Sequence, residues 1–166
     1  MGGVVCLSIG TQKVNRLPTP KITTTVRVRY SETDQMGVVY YSQYLEYFEV
    51  GRNEFFRAVE LPYTSLEERG IILPVVECCC QYLNPARYDD LLTIETFLTE
   101  LKGASLILRY EIRREDDDAM IVAGFTRHGM VAPNGRPIRC PSDVRDHLVP
   151  LISPSSQTAY PAPLTE

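Results

Sequence analysis

SETDQMGVVYYSQYLEYFEVGR, residues 31–52, carries the reading of this chain. It opens polar, places a carboxylate at Asp34, turns at Gly37 and runs through valines and tyrosines into a helical pattern. The helix begins near Ser42, a side chain suited to its N-cap. Tyr44, Phe48, Gly51, Phe55 and Val59 then recur at helical spacing, while Gln43, Glu46, Asn53 and Arg57 share the other side. An apolar arc this wide predicts a helix buried around most of its circumference. Arg52 falls near the middle of that arc and needs a partner there, and Glu49, one turn earlier, is the nearest. A structural ion pair, or a stem that snorkels outward, is the favoured reading of Arg52 over catalysis.

The chemistry of the stretch follows from its punctuation. A helix N-terminus offers unpaired N–H groups and a partial positive charge, which polarise a carbonyl and hold the oxyanion formed on attack. A carboxylate beside it can act as nucleophile or general base, and glycine lets the chain turn tightly between the two. Asp34 would then attack, or activate water, while the amides near Tyr41 receive the carbonyl. The competing reading is that Asp34 only turns or caps the backbone. Tyr40, Tyr41, Tyr44, Tyr47 and Phe48 could line an aromatic pocket or belong to the core, the commoner fate.

Outward from this stretch, Val26, Val28 and Tyr30 alternate with Arg27 and Arg29 in a half-buried strand. LPYTSLEERG, after the long helix, gives a short second helix closed by Gly70. Residues 71–83, 91–101, 104–114 and 119–132 read as strands, with Val76, Cys78, Cys80 and Tyr82 on one face of the first. PSDVRDHLVPL reads as a terminal helix with Ser142 at its cap. Strand, long helix, short helix and four strands joined by turns predict an α+β fold, an antiparallel sheet with one long helix on one face. Residues 1–20 are expected to be a poorly ordered extension, 21–150 the domain and 151–166 a loose Pro/Ser-rich tail.

The chain has 166 residues, 44% hydrophobic and 23% charged, which suits one domain with an ordinary core. A net charge of −4 gives no reason to expect nucleic-acid binding. Five cysteines, three of them adjacent, do not form a disulfide framework, and a reducing cytoplasm is expected. Cys78 and Cys80 are expected to pack as small hydrophobes. No apolar run approaches the ~20 residues of a membrane span. The two histidines, His128 and His147, are far apart and lie in no metal-ligand spacing, so no metal is expected. G-x-S-x-G, the Walker loop and G-x-G-x-x-G are all missing.

VRYSETDQMGVVYYSQYLEYFEVGRNEFFR and LPVVECCCQYLNPARYDDLLTIET together resemble the hotdog-fold acyl-CoA thioesterases. The likeness is to the 4-hydroxybenzoyl-CoA thioesterase family, on the branch with the Tol–Pal-associated acyl-CoA thioesterases, and covers about residues 22–150. It implies a curved antiparallel sheet wrapped around the long helix, hydrolysis of an acyl-CoA thioester to acid and coenzyme A, and no cofactor. It places the family's catalytic aspartate on Asp34 and its carbonyl-polarising amide on Tyr41, where many members of the Tol–Pal branch carry histidine and the aromatic-acyl branch tyrosine. Of the aromatic-acyl branch's basic cluster for coenzyme A, only Lys102 remains in LKGAS, and Arg87 is a second candidate. The resemblance further implies homodimers joined edge to edge, often paired into homotetramers, with the site between subunits. Rival readings are a dehydratase or hydratase on acyl thioesters, and a non-catalytic acyl-thioester binding module. The first usually wants a histidine with an acidic partner, where this helix start offers Tyr40 and Tyr41.

Overall fold

The structure, a computed structural model, describes residues 21–153. The extension expected over residues 1–20 and nearly all of the tail lie outside them. Five strands, β1 (Ile22–Arg27), β2 (Val75–Tyr82), β3 (Leu91–Lys102), β4 (Ser105–Arg114) and β5 (Met120–Gly129), form one antiparallel sheet in the order β1-β3-β4-β5-β2. The long helix α1 (Gln43–Ala58) lies across it, mainly against β1, β3 and β4, followed by the short α2 (Tyr63–Glu68). A last helix, α3 (Ser142–Leu148), leads into a single 3-10 turn, after which Ile152 still bridges to Leu98. This is the α+β hotdog architecture: a curved antiparallel sheet around one long helix.

The apolar stripe of α1 sets the core. Tyr44, Tyr47, Phe48, Phe55 and Phe56 are all buried. Phe48 stacks on Tyr110 of β4, with ring centroids 4.4 Å apart and planes 9° from parallel, a pairing worth about 0.5–1.5 kcal/mol beyond its burial. Gly51 lets the helix settle onto β3, because a Cβ there would come within 2.6 Å of Thr96 Oγ1 and 2.8 Å of the Ile94 Cγ2 methyl. Of the aromatic group at the start of α1, Tyr44, Tyr47 and Phe48 are core, while Tyr40 and Tyr41 remain exposed.

Six local expectations change. β1 ends at Arg27, and Tyr30, expected on the strand's half-buried face, opens a 3-10 turn and is exposed. α1 buries one side rather than most of its circumference, leaving Leu45 and Val50 exposed. Ser42 occupies the N-cap position of α1, but its backbone is already helical (φ −75°, ψ −21°) and its side chain makes no capping bond. Pro141, rather than Ser142, precedes the first turn of α3. Cys78 is exposed, while Cys80 packs against the core; β2 is an edge strand and its outer end also leaves Val75 and Val76 open. Arg52 does not pair with Glu49. Its guanidinium lies 4.9 Å from the Tyr63 ring and 3.4 Å from His128 Nδ1, because α2 folds back over α1 and supplies a partner that helical spacing does not reveal.

Candidate active site

The chain from Thr33 to Val39 is a miniature hairpin. Thr33 and Val39 bridge, the Asp34 N–H donates to the Val38 carbonyl at 2.9 Å, and the Gly37 N–H donates to the Asp34 carbonyl at 2.9 Å. Gly37 takes φ +72°, a conformation side chains resist. The Asp34 carboxylate accepts the Met36 N–H at Oδ1, 2.8 Å, so the turn orients it and leaves Oδ2 for other work. Its charge reaches the exposed Tyr40 phenol, whose pKa is raised first by its bond to Tyr41 and to a smaller degree by Asp34. Two anchors fix the hairpin to the body: Val39 N–H donates to the Ala86 carbonyl at 2.8 Å and Tyr40 N–H to the Glu32 carbonyl at 2.9 Å.

Directly after it α1 begins, and its first amides are uncapped. The Tyr40 carbonyl accepts the Gln43 N–H at 2.9 Å, so it points into the helix. The N–H of that same trans peptide belongs to Tyr41 and points the opposite way, out of the helix N-terminus. Among the described residues it donates to no backbone acceptor. The next carbonyl, of Tyr41, accepts the Tyr82 hydroxyl from β2 at 3.0 Å. An open amide beside an oriented carboxylate can polarise a carbonyl while a base or nucleophile approaches its carbon.

Beneath the hairpin Glu32 is buried and fully engaged. It accepts the Arg29 N–H at 2.7 Å, the Tyr47 hydroxyl at 2.8 Å and the Arg29 Nε at 2.9 Å. Burial alone would raise its pKa, but the Arg29 N–H, the Tyr47 hydroxyl and the Arg29 guanidinium together hold it below the ordinary carboxylate value. Burial and the bond to Glu32 push the Tyr47 phenol up in turn. Glu32 therefore secures the strand end and α1 to each other.

Of the residues expected at the site, Asp34 and Arg87 flank the same turn, and Tyr41 follows that turn just before α1. Arg87 is exposed on the β2–β3 connection, with Nη1 3.3 Å from the Gly37 carbonyl. Lys102 does not join them within one chain. It ends the 12-residue β3 at the far end from Leu91, about 35 Å away along an extended strand, and pairs with Glu100 at 2.6 Å. Tyr82 and Glu32 carry support that the sequence reading did not assign, since their partners lie on other elements.

Residues 28–148 match the family model of the thioesterase-like superfamily. The acyl-CoA thioesterase YbgC of Haemophilus influenzae is 39% identical over 90 residues, covering 54% of this chain and 66% of that enzyme, so the match spans about two thirds of that relative. A crystal structure of a hypothetical protein from Thermus thermophilus superposes with TM-score 0.74 at 39% identity, over 80% of this chain and 98% of that one. The structure of 4-hydroxybenzoyl-CoA thioesterase from Pseudomonas superposes with TM-score 0.72 at 27% identity, over 78% and 99%. With its fold, its turn-and-helix site and a family match over most of its length, the chain belongs to the thioesterase-like superfamily of hotdog-fold hydrolases.

Proposed function

We propose that the protein hydrolyses an acyl-CoA thioester to the free acid and coenzyme A. The observation that carries this reading is the uncapped start of α1: the Tyr41 N–H faces outward with no backbone acceptor among the described residues, after the turn that orients the Asp34 carboxylate. The amide binds the thioester oxygen and stabilises the charge that grows on it. Asp34 either attacks the carbon or draws a proton from the attacking water. Relatives named acyl-CoA thioesterases support the substrate class. Within the family we place the chain on the branch with the Tol–Pal-associated enzymes, from the likeness of residues 31–52 and of LPVVECCC.

Coenzyme A is assigned to Arg87 and Lys102. Arg87 stands beside the Asp34 turn in the same chain, whereas Lys102 is at the other end of the sheet and serves the site of a second subunit. A homodimer or homotetramer fits that division, and among the described residues no strand lies beside the outer edge of β1 or β2. The free cysteines among the described residues fit a reducing compartment such as the cytoplasm.

Thiol release from a panel of short, long, branched and aromatic acyl-CoA thioesters tests the reading. Hydrolysis of at least one class, with kcat reduced by ~10²- to 10⁴-fold in Asp34→Asn, is the expected result. Full activity of that variant would return Asp34 to a turn residue.

A further inference from the structure

Leu45, Phe48 and Arg52 share one narrow stripe of α1, since positions three, four and seven apart return to the same side of a helix, and Tyr41 stands two residues before that helix. On β2, Tyr82 and Cys78 share a face, and the bulge between Val75 and Glu77 turns Val75 toward the same side. The main contacts of α1 are with β1, β3 and β4. Toward β2 it borders a pocket of about 150 Å³ lined by Leu45, Phe48, Arg52, Cys78, Tyr110 and His128. That volume is about that of a cavity able to hold one benzene ring.

The polar groups at the end of the pocket are spent, except one. The Tyr110 hydroxyl lies 2.7 Å from Thr126 Oγ1, which lies 2.8 Å from His128 Nε2, and His128 Nδ1 faces the Leu73 carbonyl at 3.1 Å. The carbonyl requires the proton on Nδ1, so Thr126 donates to Nε2 and Tyr110 donates to Thr126. Arg52 has no such closure. The nitrogen nearest its Nη1 already carries that proton, its Nε is buried without an acceptor, and no carboxylate pairs with it among the described residues. Glu49 sits exposed at the mouth, where solvent screens it. A cation with unused donors inside a pocket calls for an acceptor, best an anionic one.

We propose that this pocket takes the end of the acyl group and that Arg52 binds a carboxylate there, which makes the protein selective for half-thioesters of dicarboxylic acids. The proposal rests on the thioesterase reading above. Gln43, the first residue of α1, and Arg52 are about 14 Å apart along the helix axis, and the arginine side chain leans back toward the helix start, which suits an acyl chain of intermediate length.

The test compares adipoyl-CoA with hexanoyl-CoA, equal in carbon number and differing in the terminal carboxylate. Wild type should favour adipoyl-CoA in kcat/KM by about tenfold or more, the scale of one charged hydrogen bond. Arg52→Met should erase the preference while hexanoyl-CoA hydrolysis persists, and Arg52→Lys should keep part of it. Equal rates in wild type, or faster hexanoyl-CoA hydrolysis, would overturn the proposal even if no variant folds. Calorimetric titration with hexanoate and the uncharged hexanamide reads the pocket without turnover. If neither thioester is cleaved, the thioesterase reading is the one damaged; hexanoate binding that Arg52→Met removes still supports the pocket, and equal binding of the acid and the amide defeats it.

Discussion

The Tyr82 hydroxyl donates to the Tyr41 carbonyl at 3.0 Å, tying the edge strand β2 to the chain just before α1. This bond holds the peptide next to the amide assigned to the thioester oxygen. Tyr82→Phe removes the hydroxyl and keeps the ring. The expected outcome is a fall in kcat of about three- to tenfold, the scale of one neutral hydrogen bond, with little change in KM. Steady-state kinetics with any cleaved acyl-CoA checks it, and an unchanged kcat would show that the first turn holds its position without the tether.

The Asp34 carboxylate can act in two ways that a single turnover in heavy-oxygen water separates. Label in the first free acid means that water attacked and Asp34 served as base. An unlabelled first acid, with label left on Asp34, means that the carboxylate attacked and a mixed anhydride formed. Asn at this position still offers an oxygen to the Met36 N–H, so Asp34→Asn should melt within a few degrees of wild type while losing turnover.

Gly51 is where α1 comes down on β3. Gly51→Ala pushes a methyl against Thr96 and Ile94, outweighing the better helix propensity of alanine. Overpacking of this kind costs about 1–3 kcal/mol, and a lower midpoint in urea denaturation checks it.

Stability should fall in mild acid because of His128. Burial lowers its pKa from the ordinary 6.5 to about 4. Between these values the unfolded chain binds a proton that the folded chain refuses, so the contribution is complete above pH 6.5 and is lost as pH falls toward 4. A shift of this size corresponds to about 3 kcal/mol. Glu32 is depressed, so its contribution stands above 4.5 and is lost only as pH falls below that. Glu111, raised by burial, acts in the opposite sense above 4.5. Comparing wild type with His128→Gln between pH 4.5 and 6.5 isolates the histidine: the variant should show the flatter profile.

Lys102 is assigned to coenzyme A phosphate in a neighbouring subunit. Lys102→Ala should raise KM more than it lowers kcat, and the difference should shrink in high salt as exposed charges are screened. Light scattering should accordingly find a dimer or tetramer at assay concentration. An unchanged KM at low salt would leave Lys102 as the turn partner of Glu100, and a fully active monomer would remove the shared site.

The sequence by itself determined the main elements and the turn that precedes the long helix. Alternation in β1, the apolar stripe of α1 and the Asp34–Gly37 turn before it are local properties of neighbouring residues, so they are legible without coordinates. The family segments, too, are runs of sequence. Only the tertiary structure decided which strand became an edge, and with it the exposure of Cys78. It alone gave Arg52 to Tyr63 and His128 instead of Glu49, brought Tyr82 to Tyr41 and sent Lys102 to the far end of the sheet. The physical reason is that periodicity records which side of an element is buried. What that side meets depends on strand order and on how α2 folds back, where contacts join residues 41 and 76 positions apart.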